Sequence, residues 1–381
     1  MSNLISERLE KFLEENKQFH YDMTCELGKI ASPSNHEEKR ARWIKKYFDS
    51  YGGTQSYIDS HLNVVLPINC DGCDEITVVM AHTDVVFPDT DELPMKIDGD
   101  KICCPGIGDD TANLTTLLLI AKYILTNNLK PEKGLLIVAN SGEEGLGNLK
   151  GSMGIMNDFN GRIKEFISFD GYFGVVCNDA VGSHRYRVTV KTEGGHSYGN
   201  FGNRNAIAIL SSMINTLYTM KVPPMGKTTY NVGTITGGTS VNTIAQDASM
   251  LYEYRSDKLE SLRIMEKFFE SVVESYRNMG IEVNVEILGK RPCKGAVDED
   301  KLNDLTNRIK DICEEITGMT YGTGAASTDA NSPLSMGVPG VVTGVVKGAG
   351  AHTREEWIDG TSLPTGAKVA GRIIGKYFKE F

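Results

Sequence analysis

The chain has 381 residues, which suggests two or three domains and enough buried surface to fold without disulfides or a structural metal. Its 50 acidic and 40 basic side chains give a formal net charge of −10, which argues against nucleic acid or an anionic membrane surface as a partner. With 40% hydrophobic and 24% charged residues, the composition is that of a globular protein.

The first 18 residues carry charges every few positions and lack the apolar segment of a signal peptide, so we predict an amphipathic helix there. No part of the sequence approaches a membrane-spanning run of apolar residues. The expected location is therefore the cytoplasm, where the eight cysteines would be reduced.

A helix is predicted over residues 37–51, beginning at a capping box formed by Ser34 and Glu37. From residue 60 to 180, short β-branched runs alternate with a helical pattern, which is typical of βαβ units with a largely parallel sheet. The predicted strands are residues 63–68, 76–81, 135–140 and 166–169, and the helix between the second and third of them is 114–125.

Past residue 183 the pattern changes to strand, helix, strand, strand, helix, strand, which is the order of a ferredoxin-like unit. These strands are predicted at residues 184–192, 229–236, 248–256 and 281–288, and the helices at 205–220 and 258–279. The first pattern then resumes with a helix at 299–317, a strand at 341–346 and a helix at 365–381. We expect an α/β domain made of residues 1–183 and 293–381, with a ferredoxin-like βαββαβ domain inserted at 184–292.

Acidic and histidine motifs follow the predicted strands of the α/β domain. The motifs are His82-Thr-Asp84 after the strand at 76–81, Gly108-Asp109-Asp110 before the helix at 114–125, Glu143-Glu144 after the strand at 135–140, and Asp170 after the strand at 166–169. Because ligands bind outside the carboxyl ends of parallel strands, we expect these motifs to meet at one crevice, which His352 can join from the strand at 341–346.

The chemistry of this set points to a pair of divalent metal ions. Imidazole and carboxylate suit zinc and its first-row neighbours, and one carboxylate can bridge two ions. We predict that His82, Asp109 and Asp170 hold one ion, and that Asp109, Glu144 and His352 hold the other. The pattern favours Zn²⁺, with Co²⁺ and Mn²⁺ as alternatives.

Asp84 and Glu143, which are not assigned as ligands, can each have a role of their own. Asp84 is placed to accept the other N–H of the His82 ring and so to fix its tautomer. Glu143 can take the proton of a metal-bridging water and pass it to a leaving amine, which is the work of a general base in amide hydrolysis.

Together, the motifs resemble those of the M20 family of co-catalytic zinc metallopeptidases, and their order and spacing match from about residue 25 to the C-terminus. The matching motifs are His82-Thr-Asp84, Gly108-Asp109-Asp110, Ser141-Gly-Glu143-Glu144-Gly145, Asp170 and His352. The resemblance implies that Glu143 is the general base, that Glu144 is a metal ligand and that Asp109 bridges the two ions.

The inserted domain resembles the lid and dimerisation domain of that family. The resemblance implies that His196, in Gly194-Gly-His196-Ser, polarises the scissile carbonyl, often in the site of the partner subunit. It also implies that Asn242 and Arg255 bind the substrate, the latter by gripping a carboxylate with two hydrogen bonds. We therefore expect a homodimer formed through the lid domains, with a short peptide as substrate.

Three further positions bear on the substrate. The family usually has Lys where this chain has Thr111, and Pro where it has Ala245, and neither position is expected to bind metal. Aspartate at position 170 resembles the aminopeptidase and dipeptidase branch of the family, which includes peptidase T. The deacylase and carboxypeptidase branches more usually have glutamate at this position. We expect a tripeptidase-like aminopeptidase; an N-acyl amino acid deacylase or a carboxypeptidase stays open, as does, more remotely, a catalytically silent metal-binding scaffold.

Overall fold

A computed structural model describes residues 5–381 of the chain. The α-helices of this range are α1 (Glu7–Glu15), α2 (Lys17–Lys29), α3 (Glu38–Ser50), α4 (Ala112–Thr126), α5 (Lys150–Asp158), α6 (Ala206–Leu217), α7 (Leu259–Asn278), α8 (Glu299–Thr317), α9 (Asn331–Ser335) and α10 (Leu363–Gly375). The strands are β1 (Tyr57–Ile58), β2 (Val64–Ile68), β3 (Ile76–His82), β4 (Lys96–Asp98), β5 (Lys101–Cys103), β6 (Gly134–Asn140), β7 (Ile163–Phe169), β8 (Val175–Ala180), β9 (Gly182–Lys191), β10 (Gly195–His196), β11 (Thr228–Gly237), β12 (Thr243–Ile244), β13 (Asp247–Ser256), β14 (Glu282–Arg291), β15 (Gly322–Ala326), β16 (Gly340–Thr343), β17 (Gly348–Ala349) and β18 (Trp357–Asp359).

The chain divides into two compact units. The first unit runs to Asp179 and resumes at Ala296, and the second unit is Ala180–Gly295. Across residues 5–381, no helix combines the length and the apolar character that a bilayer crossing requires.

The main sheet of the first unit has the strand order β1-β2-β6-β3-β7-β16-β8-β15. Its four central strands, β6, β3, β7 and β16, are parallel, while β2 and β8 pair antiparallel at either side. Every residue of β3 and β6 is buried, as continuous apolar runs in a parallel sheet predict. The expected α/β fold with a mostly parallel sheet is confirmed.

Helices cover both faces of this sheet. On one face, alternate strand residues such as Val78 and Met80 form a core cluster with Ile155 of α5. The intervening residue Val79 points to the other face and is also fully buried, and α4 packs against β3, β6 and β7. The carboxyl ends of the parallel strands are therefore held between two packed layers.

Four local predictions need correction. The capping box does not form, because the Ser34 hydroxyl donates to Asp84 Oδ2 at 2.7 Å, and α3 begins at Glu38 without a side-chain cap. The N-terminal helix predicted over 1–18 is interrupted at Asn16, where α1 gives way to α2, and its first four residues lie outside the described range. The strand predicted at 341–346 is the shorter β16, and the last helix ends at Gly375.

A small second sheet of the first unit was not predicted. Its order is β17-β18-β5-β4, and the antiparallel pair β17 and β18 closes the loop of residues 350–356. His352 lies in this loop with φ at 63°, a left-handed conformation that non-glycine residues rarely adopt. The hairpin thus determines where this histidine points.

The second unit has the chain order βαββαβ when its long strands are counted. These strands form one antiparallel sheet in the order β11-β13-β9-β14, the arrangement of a ferredoxin-like unit. The helices α6 and α7 bury their apolar faces on this sheet, where residues such as Met213, Met265 and Tyr252 form the core. The other face of the sheet carries charged side chains, including that of Arg255 on β13.

Candidate metal centre

A first group of three side chains meets at the carboxyl end of the main sheet. His82 Nε2 lies 3.0 Å from Asp109 Oδ1 and 3.9 Å from Asp170 Oδ1. Ligand atoms of all three residues lie within 4.8 Å of one another. We call His82, Asp109 and Asp170 the first group.

A second group shares Asp109 with the first. His352 Nε2 lies 3.3 Å from Asp109 Oδ2 and 3.0 Å from Glu144 Oε1, and the three side chains again fall within 4.8 Å. We call Asp109, Glu144 and His352 the second group. Because one oxygen of Asp109 faces each histidine, this carboxylate has the geometry of a bridge between two cations.

The parallel strands explain why residues so distant in sequence meet. His82 ends β3 and pairs in register with Asn140, the last residue of β6, which leads into Glu143 and Glu144. Asp170 directly follows β7, and its main-chain N–H donates to Thr343 O at 3.2 Å at the end of β16. The motifs that follow β3, β6 and β7 therefore emerge at one edge of the sheet, as expected for this fold.

Asp84 holds the turn that carries both glutamates. Its Oδ1 accepts the main-chain N–H of Glu143 at 3.0 Å, and its Oδ2 accepts those of Glu144 at 2.9 Å and the Ser34 hydroxyl at 2.7 Å. His82 Nδ1 is closer to the main-chain carbonyl of Asp84, at 3.0 Å, than to its carboxylate, at 3.5 Å. The carbonyl can accept the Nδ1 proton, which leaves Nε2 free to act as a ligand.

Glu143 lies beside the two groups. Its side chain is buried, and one carboxylate oxygen lies within 4.8 Å of ligand atoms of His82 and Glu144. A carboxylate at this distance can exchange a proton with a molecule bound at the cluster.

Burial, and then repulsion between neighbours, raises the pKa of two carboxylates of the cluster. Burial and the neighbouring Asp109 raise the pKa of Asp170 to about 8, and burial also raises the pKa of Glu144. In contrast, the pKa of Asp109 is held below its usual range, because hydrogen bonds from His352 and His82 outweigh its burial. Burial and repulsion therefore disfavour the ionisation of all these carboxylates at once.

The pKa values of both histidines are also raised, which favours their charged forms. Hydrogen bonds to Asp109 and Glu144 raise the pKa of His352 to about 10. Burial alone would lower the pKa of His82, but the surrounding carboxylates, Asp110 first among them, raise it well above its usual value. Divalent cations would replace these protons as the compensating charge, since metal ligands bind in their deprotonated forms.

The donor set fits two divalent ions. Two imidazole nitrogens and three carboxylates form two sites with a shared ligand, and such mixed N and O ligands suit zinc and its first-row neighbours. The five residues predicted as ligands are the ones that the structure brings together in these two groups.

Glu356 supports the centre and was missed by the sequence analysis. Its buried carboxylate accepts the main-chain N–H groups of Gly106 at 2.6 Å, Gly108 at 2.9 Å and Asp109 at 2.7 Å, and the Tyr172 hydroxyl at 3.1 Å. Burial and the nearby Asp109 raise its pKa to about 7. It fixes the loop of the shared carboxylate, but no sequence pattern relates it to residues some 250 positions away.

Asp110 and Asn113 were also missed as supporting residues. Asp110 Oδ2 accepts the main-chain N–H of His82 at 2.9 Å, and its Oδ1 accepts from Asn113 Nδ2 at 2.6 Å. Both side chains are fully buried. The available signal was a polar Asn at the start of a mostly apolar helix.

The remaining predicted residues, His196, Asn242 and Arg255, belong to the second unit. His196 is exposed, and its Nδ1 accepts the main-chain N–H groups of Tyr198 and Gly199, each at 3.2 Å. With Nδ1 as an acceptor, the neutral ring carries its proton on Nε2. Asn242 is also exposed and lies beside the segment of His196. Its main-chain carbonyl accepts the N–H of Ser197 at 3.0 Å.

Arg255 lies on the face of the second unit's sheet opposite the helices. Its guanidinium donates to both carboxylate oxygens of Glu253 at 3.1 Å, and Glu253 also accepts from Arg185 at 3.3 Å. Burial and the guanidinium groups of Arg291 and Arg255 lower the pKa of Arg185. This positively charged face can bind a carboxylate that competes with Glu253.

A sequence model of the family described as Peptidase family M20/M25/M40 matches residues 78–376. A search among curated proteins finds no match to the sequence. The fold is similar to that of a tripeptidase from Staphylococcus aureus, with a TM-score of 0.76 and 21% identity over 95% of this chain and 98% of that chain. It is also similar to the aminopeptidase PepT from Bacillus cereus, with a TM-score of 0.70 and 21% identity over 98% and 100% of the two chains. A dinuclear metal-binding peptidase of the M20 family from Bacillus subtilis has a TM-score of 0.63 and 14% identity over 97% and 100%.

Proposed function

Because the chain belongs to peptidase family M20/M25/M40 and is therefore a peptide hydrolase, we propose that it is a tripeptidase-like aminopeptidase that removes the first residue of short free peptides. The observation that carries this proposal is the shared carboxylate Asp109, with Asp170 as the third side chain of the first group. Two adjoining cation sites suit amide hydrolysis, and aspartate at that place resembles the aminopeptidase branch of the family. The similar tripeptidase and PepT folds are consistent with this assignment.

When bound, the two ions, for which we propose Zn²⁺, supply Lewis acidity toward the scissile carbonyl and toward a water molecule. The first group and the second group would hold one ion each. Glu143 accepts a proton from the attacking water, whose oxygen adds to the carbonyl carbon of the peptide bond. The same carboxyl then gives this proton to the amine nitrogen as the C–N bond breaks, so that Glu143 ends the cycle as it began.

The second unit supplies the groups that recognise the substrate. We assign to His196 Nε2–H the donation of a hydrogen bond to the carbonyl oxygen as negative charge develops on it. We assign to Arg255 the C-terminal carboxylate of the peptide, which would replace Glu253 as its partner. Asn242, beside His196, would bind a polar group of the peptide backbone.

We further propose a homodimer formed through the second units. The strand β11 lies at the edge of its sheet and is largely exposed along its ten residues. Ile235 on this strand, Ile207 of α6 and Tyr218 directly after α6 expose apolar surface that a partner could bury. The cytoplasm is the proposed location, since all eight cysteines are free thiols.

The test is product analysis on a mixed pool of free and N-acetylated dipeptides and tripeptides. The protein is stripped of metal, reloaded with Zn²⁺, Co²⁺ or Mn²⁺, and the products are identified by mass spectrometry, with Glu143→Gln as the control. We expect metal-dependent release of the first residue from free tripeptides and no cleavage of acetylated ones.

Other products would redirect the assignment. Release of acetate indicates a deacylase, and release of the last residue indicates a carboxypeptidase. No product from either pool with two ions bound would contradict a peptidase for short peptides and favour a catalytically silent scaffold.

A further inference from the structure

One buried amide connects three of the loops around the metal centre. Asn113 is the second residue of α4, and its side chain is fully buried. Its Nδ2 lies 3.0 Å from the main-chain oxygen of Gly108 and 2.9 Å from that of Gly171, and its Oδ1 accepts the N–H of Val345 at 2.7 Å. These partners determine which end of the amide is nitrogen, because Nδ2 faces oxygens and Oδ1 faces an N–H donor.

Each partner is next to, or leads toward, a proposed ligand. Gly108 precedes Asp109, Gly171 follows Asp170, and Val345 starts the segment that leads to the His352 loop. Asn113 Nδ2 is also 2.6 Å from Asp110 Oδ1, and the other oxygen of Asp110 accepts the main-chain N–H of His82. One side chain thus contacts the supports of all three members of the first group.

The two groups depend on Asn113 to different degrees. Asp109 has a second support in Glu356, and Glu144 is held through its main chain by Asp84. The loop of Asp170 has other hydrogen bonds, from Asp170 N–H to Thr343 O and from the Tyr172 hydroxyl to Glu356, but Asn113 directly joins its Gly171 carbonyl to the Gly108 carbonyl beside Asp109. Loss of the amide therefore acts mainly on the distance between Asp109 and Asp170.

We propose that Asn113 is a positioning residue that sets the affinity of the first group for its ion relative to that of the second group. This inference rests on the proposed function, in which the two groups hold two ions. Without the amide, the buried oxygens of Gly108 and Gly171 and the N–H of Val345 lose a partner, so the loops must separate or admit water.

The test is a calorimetric titration of the metal-free full chain with Mn²⁺. In Asn113→Ala, we expect the Kd of one ion to rise by about tenfold or more while that of the other changes by less than about threefold. Asp170→Asn identifies which titration step belongs to the first group. Thr115→Val is the matched control, because Thr115 is buried in the same helix and bonds to Ala112 and Thr24 instead of the ligand loops.

Hydrogen–deuterium exchange gives a readout that is independent of the metal. In metal-free Asn113→Ala, peptides covering residues 106–111, 170–174 and 344–347 should exchange faster than in the unaltered chain, while residues 141–146 do not. Asn113→Asp keeps the volume and the acceptor for Val345 but loses the donor, so it replaces the alanine variant in both measurements if that variant does not fold.

The outcomes separate this inference from the function on which it rests. If the unaltered chain takes up fewer than two ions, the proposed function fails and the inference with it. If two ions bind and Asn113→Ala weakens both equally, weakens only the second group or weakens neither, the inference alone is overturned.

Discussion

The two sets of proposed functional residues are held in opposite ways. In the first unit, main-chain groups anchor the carboxylates: Asp84 accepts the N–H groups of Glu143 and Glu144, and Glu356 accepts three more around Asp109. In the second unit, His196 is exposed and Arg255 is held by the side chain of Glu253.

This difference follows the work proposed for each set. Ligands that share an ion must keep their spacing within a fraction of an ångström, which buried main-chain hydrogen bonds can achieve. Groups that receive a substrate must instead exchange one partner for another. Changes in the first unit should therefore alter metal binding or chemistry, while changes in the second unit should alter turnover or substrate binding and leave the metals in place.

The largest effect is expected from Glu143→Gln. The amide keeps the shape of the side chain but cannot accept the proton of the attacking water, so we expect kcat to fall by about 10³- to 10⁴-fold. Steady-state kinetics on a free tripeptide, with metal content measured on the same samples, provides the check. Glu132→Gln, an exposed glutamate just before β6, is the matched control.

The metal content of Glu143→Gln decides whether Glu143 acts as a general base or as a metal ligand. Its carboxylate lies close enough to His82 and Glu144 to act as a ligand. If Glu143→Gln loses one ion together with its activity, the residue belongs to the metal centre and another group must serve as base.

His196→Ala tests the residues of the second unit that are proposed to bind the substrate. Removing the Nε2–H donor should lower kcat by about 10²- to 10³-fold, as removal of an oxyanion donor does, without changing the affinity for either ion. His196→Gln, whose amide can still donate, should recover part of the loss. A fall in metal affinity equal to the fall in kcat would show that the two units do not divide the work as proposed.

Asp84→Asn tests the main-chain anchoring. The amide nitrogen would face an N–H of Glu143 or Glu144, or the Ser34 hydroxyl, so the glutamate turn should shift and metal affinity at the second group should fall by about 10- to 100-fold. Titration of metal-free protein with Mn²⁺ measures the change. Ser34→Ala removes one of these hydrogen bonds and should cost only a few-fold; an equal loss in both variants would contradict the role given to the two N–H groups.

The location of the ligands could be predicted from sequence because it depends on a general property of parallel sheets. β3 and β6 are continuous apolar runs, and the residue that follows such a run must lie at the edge where the strands end. His82 and Glu144 could therefore be placed together without knowing their contacts.

The supports of the ligands could not be predicted, because their partners are main-chain groups. Every residue offers a main-chain N–H or carbonyl, so nothing in the sequence relates Glu356 to Gly106, or Asn113 to Gly171. The failed capping box has a similar cause: Ser34 suits a helix start by local rules, but the buried carboxylate of Asp84 takes its hydroxyl. Short strands such as β17 could not be predicted, because they have too few residues to show an alternation of apolar and polar side chains.

Arg255→Met should have the narrowest of these effects, because it should depend on one group of the substrate. A charged, two-point contact with a carboxylate contributes enough to raise KM by about 10- to 100-fold when it is lost. The rise should appear for tripeptides with a free C-terminus and be absent for tripeptide amides, because the amide lacks the carboxylate. Metal affinity and the kcat for the amide should stay as in the unaltered chain.

Arg187→Met is the matched control. Arg187 is on the neighbouring strand β9, on the same face of the sheet as Arg255, and forms an exposed ion pair with Glu286 at 2.7 Å. It should leave KM for both kinds of peptide unchanged. Equal rises in KM for acids and amides in Arg255→Met would mean that the arginine supports the sheet through Glu253 instead of binding the substrate. In that case the second unit would hold this residue structurally, and only His196 and Asn242 would remain as exchangeable contacts.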